Sequence, residues 1–299
     1  MTYDDIVTAF FTAPTVPVPE PVVPVTPPRR LRDALEPIAT HGWWSRPPSD
    51  RLAALGLGFF DGYVWGRAAA LGTPDASVVV ATFGVFEPGL LSAVYHHAVA
   101  TASRDDVLAA RSIGAAESLA TICSPSAAAA IADPLLDALT QLDGMGRPLF
   151  SALRNLPVPD TAHGRLWRAA ELVREHRGDG HLAACVAAGL NAINANILTE
   201  LWLGYDLGEY SGTRGFNPAQ LATAMAGLDQ RGWTSGGMLT AAGSAARLEL
   251  EAVTDASQQQ LVTLLGPGID AIINSAAEIS AQIIAARSFP VDPRKRAAG

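Results

Sequence analysis

Signals that start and stop helices recur along this chain, and they constrain its fold more than any other feature of the sequence. Residue types that cap helices stand before apolar segments at Ser49, Ser124 and Asn217. Within those segments the apolar side chains recur every three or four residues, which is the spacing of one helical face. Alanine, the best helix former, is the commonest residue. The sequence therefore predicts a mainly α-helical protein.

Composition narrows the class of protein further. The chain has 299 residues, of which 49% are hydrophobic and 17% are charged, and its formal net charge is −8. A chain of this length can bury a large core, in one domain or in two. Its acidic balance argues against broad, non-specific binding to nucleic acid or to anionic lipid.

Several kinds of site and location are not expected. Cys123 and Cys185 lie far apart and fit no paired-ligand spacing, so neither a disulfide scaffold nor a metal site is predicted. No apolar run reaches the roughly 18 residues that a membrane span requires. The N-terminus begins with acidic residues, unlike a secretory signal. We predict a cytoplasmic protein that has no membrane contact, no metal and no cofactor.

Prolines and changes in composition divide the chain. Seven prolines lie within residues 14–28, where they favour extended polyproline II backbone, and Pro157 and Pro159 separate two helical regions. The predicted segments are a flexible proline-rich leader (1–28), a helical N-terminal domain (29–155), a winged-helix-like domain (156–290) and a tail (291–299).

The C-terminal half has the element order of a winged helix. A helix is predicted over 217–230, a small β-hairpin wing over 233–239 with its turn at Gly236-Gly237, and a further helix from Thr240. In the N-terminal half, the apolar run 77–83 is predicted as a buried strand by a narrow margin over a helical turn.

Five blocks of sequence carry a resemblance to a known family. They are Leu35-Glu36-Pro37 with His41, Gly62-Tyr63 with 66–69, 146–150 (GRPLF), 174–181 (REHRGDGH) and 239–243 (LTAAG). Together they resemble an actinobacterial helix-turn-helix family, some of whose members are labelled SalK, and the last block also resembles MarR-like winged helices. The resemblance covers residues 29–290 and implies a helix-turn-helix fold without implying an activity. The chain departs from the family at 43–48 (WWSRPP), which lacks an acidic side chain, and at Ala70, where proline is expected.

The block 174–181 concentrates titratable side chains in a chain that has few of them. We interpret Gly178 as the end of one helix and Asp179 as the N-cap of the next. A histidine beside a carboxylate can act as a general base, so His176, His181 and Asp179 are candidates for catalysis. The alternative is a purely structural turn. The spacing does not suit a metal ion.

Aromatic residues around one arginine form a second candidate site. Flat aromatic walls with a fixed guanidinium suit a planar, anionic small molecule. The alternative is that these aromatic residues are simply the core of the N-terminal half. The predicted ligand-binding residues of the two candidate sites are His41, Trp44, Tyr63, Arg67, Arg174, His176, Arg177, Asp179 and His181.

The leading functional prediction is a small-molecule-binding protein, non-catalytic or regulatory, derived from MarR-like regulators. Its capacity to read DNA is predicted to be small, because the helix over 217–230 has no Arg or Lys and the hairpin is uncharged. One alternative is an enzyme that uses His176 or His181 in acid–base chemistry on an anionic small molecule. Another is a DNA-binding transcriptional regulator. A homodimer is predicted through the last long helix, whose apolar residues recur at helical spacing (Ile272, Ile273, Ile279 and Ile283).

Overall fold

The computed structural model describes residues 3–11 and 22–298. Within these residues the chain is mainly helical, as the sequence predicts, and its strands pair as one antiparallel hairpin. The helices are α1 (Tyr3–Phe10), α2 (Pro27–Ala39), α3 (His41–Trp44), α4 (Arg46–Ala54), α5 (Phe59–Ala68), α6 (Ala76–Phe83), α7 (Pro88–Thr101), α8 (Arg104–Ala120), α9 (Pro125–Thr140), α10 (Pro148–Arg154), α11 (Ala162–Ala187), α12 (Ala192–Trp202), α13 (Pro218–Gln230), α14 (Ala241–Ala256), α15 (Gln259–Leu265), α16 (Ile269–Ala285) and α17 (Pro293–Ala298), and the strands are β1 (Thr234–Ser235) and β2 (Met238–Leu239).

The segment predicted as a leader contains a helix. The aromatic residues at the end of α1, Phe10 and Phe11, pack against Trp44 with ring centroids 5.6 and 5.9 Å away. Residues 12–21, which hold most of the prolines, lie outside the described residues. Thr26 caps α2, and two prolines occupy its first turn, where a missing N–H costs nothing.

Helix α11 is the centre of the fold, because α2, α8, α9, α10 and α14 all pack against it. One hydrophobic cluster includes Leu31, Leu135, Leu166 and Ile283, and so draws on both sides of the predicted boundary at residue 155. The division into two domains stays a prediction. In the described residues no single helix is long and apolar enough to cross a membrane, although α11 and α12 together pass that test across a bend of 105°.

The predicted dimer surface on the last long helix is wrong. The four isoleucines of α16 that were predicted to form it are buried in the same chain, at 0 to 6% exposure, where α16 packs against α2. Helical spacing of apolar residues marks a face that must be covered, but it does not say which element covers it.

The predicted strand over 77–83 is also wrong, since these residues lie in α6. Asp75 caps the helix by accepting a hydrogen bond from the Ser77 N–H, and Gly84 ends it in the left-handed conformation at φ 66°. Caps at both ends outweigh the preference of the β-branched residues for a strand, a preference that depends on neighbouring strands.

The turn predicted at Gly178 and Asp179 is continuous helix instead. Helix α11 runs through both residues, and the Asp179 carboxylate accepts a hydrogen bond from the Phe150 N–H in the first turn of α10 instead of capping a helix that begins after Gly178. Burial of α11 among five other helices offsets the roughly 1 kcal/mol that each interior glycine costs.

The hairpin between α13 and α14 is confirmed. Gly236 and Gly237 have φ of 59° and 80°, as a tight two-residue turn requires. Thr240 caps α14, and Gly243 lies so close to Trp233 that an added Cβ would be 1.9 Å from its carbonyl oxygen. These two contacts explain the 239–243 block physically.

Candidate functional site

Two adjoining cavities border α2, α5 and α11, and the first of them also borders α12 and α14. The first, which we call the charged chamber, has a volume of about 140 Å³. Six arginines and four acidic residues line it: Arg32, Arg67, Arg174, Arg177, Arg214 and Arg247, with Glu36, Glu175, Asp179 and Glu251. The second, the aromatic chamber, has a volume of about 370 Å³ and is lined chiefly by aromatic side chains of α3, α5 and their surroundings.

Helical spacing places the charged side chains. Arg32 and Glu36 on α2 are four residues apart, as are Arg247 and Glu251 on α14, so each pair shares one face of its helix. Helix α11 supplies Arg174, Glu175, Asp179 and His181 from the 174–181 block.

The best-formed ion pair in the charged chamber joins the two halves of the sequence. The Arg67 guanidinium donates to both oxygens of Glu175, at 3.0 and 2.8 Å, and also to the Tyr63 hydroxyl at 2.9 Å. Burial opposes both charges, but each partner more than offsets it, so the pKa of Arg67 is raised and that of Glu175 is lowered. Both side chains are therefore ionised.

Glu251 forms the centre of a second buried cluster. Its carboxylate accepts hydrogen bonds from Arg29, Arg177 and Arg247 at 2.9, 3.0 and 2.6 Å. Burial would raise the pKa of Glu251, but these three cations lower it well below its usual range. One carboxylate thus serves three guanidinium groups.

The chamber consequently has more positive than negative charge. Among the lining residues, six arginines face four carboxyl groups, a formal excess of two, in a protein whose net charge is −8. Counting also Arg29, Asp33 and Asp255, which pair with these groups from outside the lining, leaves an excess of one. Arg177 Nε, Arg247 Nε and Arg32 Nη2 are buried and have no hydrogen-bond partner. Buried donors without partners are rare, and they are expected where a ligand or water completes the site.

Asp179 is the carboxyl group of the chamber that lacks an arginine partner. Its one hydrogen bond comes from the Phe150 N–H at 3.0 Å. Burial raises the pKa of Asp179 to about 7, and the negative Glu175 nearby adds to the effect. This side chain therefore exchanges its proton near neutral pH.

His181 lines the same chamber as a neutral imidazole. The Thr254 hydroxyl donates to the Leu250 carbonyl at 2.6 Å, so at 2.9 Å its oxygen accepts from His181 Nδ1–H. The bare Nε2 faces the Cys185 thiol at 3.6 Å. Burial lowers the pKa of His181 to about 3 and raises that of Cys185 to about 11, so both are uncharged.

The structure brings together most, but not all, of the residues predicted for ligand binding. Those that line the charged chamber are Tyr63, Arg67, Arg174, Arg177, Asp179 and His181, and Trp44 lines the aromatic chamber. His41 and His176 line neither. His41 is fully buried against Ser118 at 2.8 Å, and His176 packs on Phe150 and bonds Gln258 at 2.8 Å.

Sequence reasoning missed six charged residues of the chamber: Arg32, Glu36, Glu175, Arg214, Arg247 and Glu251. Two of the pairs have the spacing that is typical of ion pairs on an exposed helix face. On α2 the apolar residues Leu31, Leu35 and Ile38 were the available signal of burial, whereas α14 exposes Leu248 and Val253 and gave no such signal.

Helix α13, the hairpin and α14 follow one another within a mainly helical structure. The chain belongs to a helix-turn-helix family, whose model matches residues 28–290. Membership indicates a fold of the type found in DNA-binding regulators. Comparisons with curated proteins and with solved structures found no significant match. In the described part of the chain, no group of His, Cys, Asp and Glu side chains is placed to hold a metal ion.

Proposed function

We propose that this protein is a regulatory, non-catalytic member of its helix-turn-helix family and that it binds an anionic small molecule in the charged chamber. The observation that carries the proposal is the excess of arginine over carboxylate around a cavity in an acidic protein. A bound carboxylate or phosphate would balance this excess and accept hydrogen bonds from the unpartnered guanidinium nitrogens.

Burial makes this site selective for charge. Uncompensated positive charge in a poorly solvated cavity is costly, and an anion recovers that cost through interactions that are stronger than in water. Guanidinium groups also present paired donors that match a carboxylate or phosphate. The site therefore favours an oxyanion over a halide.

The test is a pair of glycine variants that differ in what they face. Gly178 lines the charged chamber, and a Cβ there would meet only Glu175, at 3.8 Å. Gly227 on α13 faces open space outside it. In Gly178→Leu the side chain fills the chamber, so we expect inorganic phosphate binding, measured by calorimetry, to be lost.

The control Gly227→Leu should bind phosphate as the unaltered protein does, since both substitutions place a good helix former inside a helix. Equal phosphate affinity in the unaltered protein and in folded Gly178→Leu would contradict the proposal. If phosphate binding is lost only in Gly178→Leu, native mass spectrometry of protein purified from its own host would identify the natural anion by its retained mass.

A second candidate function is acid–base catalysis on the bound anion, and one observation favours it. Asp179 lines the chamber and has a pKa of about 7, close to that of an efficient general acid or base. His176 lies outside the chamber, and the pKa of His181 is about 3. Asp179→Asn should abolish the conversion of host metabolites, as measured by mass spectrometry, while phosphate binding persists. Unchanged conversion in this variant would exclude the catalytic role of Asp179.

DNA reading is proposed to be weak. The exposed cation beside the hairpin, Arg231, stacks on Trp233 and donates to the carbonyls of Ala188 and Gly189, just after α11. Arg247 is turned inward to Glu251. Few cations of this segment are left to contact the phosphates of a DNA backbone. We also propose the finer relation to SalK-labelled, MarR-like winged helices, which the order α13, hairpin, α14 supports.

A further inference from the structure

The two chambers meet along a shared wall, and this arrangement indicates a ligand with two chemically different parts. Five side chains line both chambers: Glu36, Tyr63, Arg174, Tyr210 and Arg214. At about 140 Å³ the charged chamber is smaller than most ligand pockets, whereas the aromatic chamber, at about 370 Å³, is within their usual range. The charged chamber therefore suits an anionic group, and the larger chamber suits the body of a molecule.

The walls of the aromatic chamber are flat and apolar. Phe60 and Tyr63 lie nearly parallel, with ring centroids 6.1 Å apart and planes 10° apart. Trp43 meets Tyr63 edge to face at 5.2 Å, and Phe86 meets Phe60 at 5.6 Å. Aromatic walls of this kind gain more from an aromatic ring than from an alkyl chain of equal area.

Arg214 stands at the junction without an acidic partner in the described residues. Its guanidinium donates to the Thr213 and Tyr210 hydroxyls at 3.2 and 3.0 Å, and its Nε has no partner. It lies over the rings of Phe86 and Tyr210, at 5.3 and 4.5 Å. By contrast, Arg67 and Arg174, which line the same charged chamber, both pair with Glu175. Arg214 is thus a fixed cation that remains available to a ligand.

Lys295, the only lysine of the chain, adds a further cation to the aromatic chamber. It lies 5.3 Å from the Phe10 ring and 5.2 Å from the Tyr205 ring. The aromatic chamber is therefore lined by three cations, Arg174, Arg214 and Lys295, and by one carboxylate, Glu36, which pairs with Arg174. An occupant that is aromatic but uncharged would leave this excess unbalanced.

We propose that the ligand is an aromatic carboxylic acid, whose ring system fills the aromatic chamber and whose carboxylate is held by Arg214 at the junction. This inference rests on the proposed anion-binding function and assigns the chemical class of the ligand. It also assigns Arg214 as the residue that selects for the acid.

The test measures the binding of four probes to the full chain by titration calorimetry. 2-Naphthoate carries both a ring system and a charge, 2-naphthamide lacks the charge, octanoate lacks the ring, and acetate lacks an apolar body. We expect 2-naphthoate to bind at least tenfold more tightly than each of the other three. Octanoate or 2-naphthamide binding as tightly as 2-naphthoate would overturn the assignment.

Variants of Arg214 test the anchor. Arg214→Gln should weaken 2-naphthoate binding at least tenfold and leave 2-naphthamide unchanged, whereas Arg214→Lys, which keeps the charge, should retain most of the affinity. Arg231→Gln, outside both chambers, is the control and should have no effect. Unchanged 2-naphthoate affinity in Arg214→Gln would overturn the role of Arg214.

The outcomes also separate this inference from the proposed function. If phosphate and acetate bind but a naphthalene ring adds no affinity, the aromatic class is wrong and anion binding stands. If none of these anions binds, both proposals fall.

Discussion

Two glycines of α11, two residues apart, should respond oppositely to the same substitution. At Gly178 an added Cβ meets only a Glu175 oxygen, at 3.8 Å, whereas at Gly180 it would lie 2.4 Å from Ser257 Oγ and 2.9 Å from Arg147 Nη1. Both positions are inside a helix. The contrast tests directly whether α11 is continuous and which of its faces borders the cavity.

The magnitudes follow from these contacts. Alanine stabilises a helix interior by about 1 kcal/mol relative to glycine, so Gly178→Ala should raise the melting temperature by about 2 °C. Gly180→Ala gains the same propensity but must displace Arg147, which donates to the carbonyls of His176 and Ser257. Overpacking of this kind costs about 1–3 kcal/mol, so the net change should be destabilising.

Urea unfolding, monitored by circular dichroism, measures the change in unfolding free energy of each variant. Phosphate binding supplies an independent readout, because only Gly178→Ala narrows the charged chamber. This variant alone should therefore bind phosphate more weakly. If α11 were broken at Gly178, as its sequence alone suggested, alanine there would destabilise the protein. A loss of stability in Gly178→Ala, or a gain in Gly180→Ala, would refute the reasoning.

Three further predictions concern a buried ion pair, the protonation of Asp179 and DNA binding. Arg67→Met leaves Glu175 without its bidentate partner and should cost about 3–5 kcal/mol of unfolding free energy, while the double variant Arg67→Met/Glu175→Met should be more stable than Arg67→Met; equal or greater loss in the double variant would contradict this. Because the pKa of Asp179 rises from 3.8 to about 7 on folding, its contribution to stability is complete below about pH 4 and is lost as pH rises through 7, by at most about 4 kcal/mol. Asp179→Asn should flatten the decline of the free energy of unfolding with pH, measured by urea unfolding between pH 5 and pH 8. An unchanged slope in this variant would show that another group titrates. For DNA, an electrophoretic assay with the upstream promoter fragment at about 50 mM salt should show no shift, and a shift that weakens steeply with salt would overturn the proposal of weak reading.

Several elements could be predicted because their signals are local. Asn217 and Thr240 cap α13 and α14 through hydrogen bonds to residues three positions later. Gly236 and Gly237 supply the positive φ that the hairpin turn needs. The 174–181 block has a density of titratable residues that can be recognised from the sequence alone, and it supplies Arg174, Arg177, Asp179 and His181 to the lining of the charged chamber.

Other predictions failed because the deciding contacts are distant. The valines of 77–83 would suit a strand only beside other strands, and the chain offers the helix α7 instead. Gly178 is a helix terminator by propensity, but the packing of α11 against five other helices keeps it helical. His41 and His176 were predicted ligand-binding residues, yet both lie outside the chambers, since apolar packing around a histidine leaves no mark in its own neighbourhood of the sequence.

The sequence by itself determined a mainly helical chain, the caps that bound its helices, the hairpin and the unusual concentration of charge in α11. Only the tertiary structure decided which charges face a cavity. Arg67 meets Glu175 across 108 residues of sequence, and Arg29 meets Glu251 across 222. Whether an arginine is solvated or buried opposite a carboxylate depends on how helices pack, and that is set by contacts among many residues distant in sequence rather than by the residues adjacent to it.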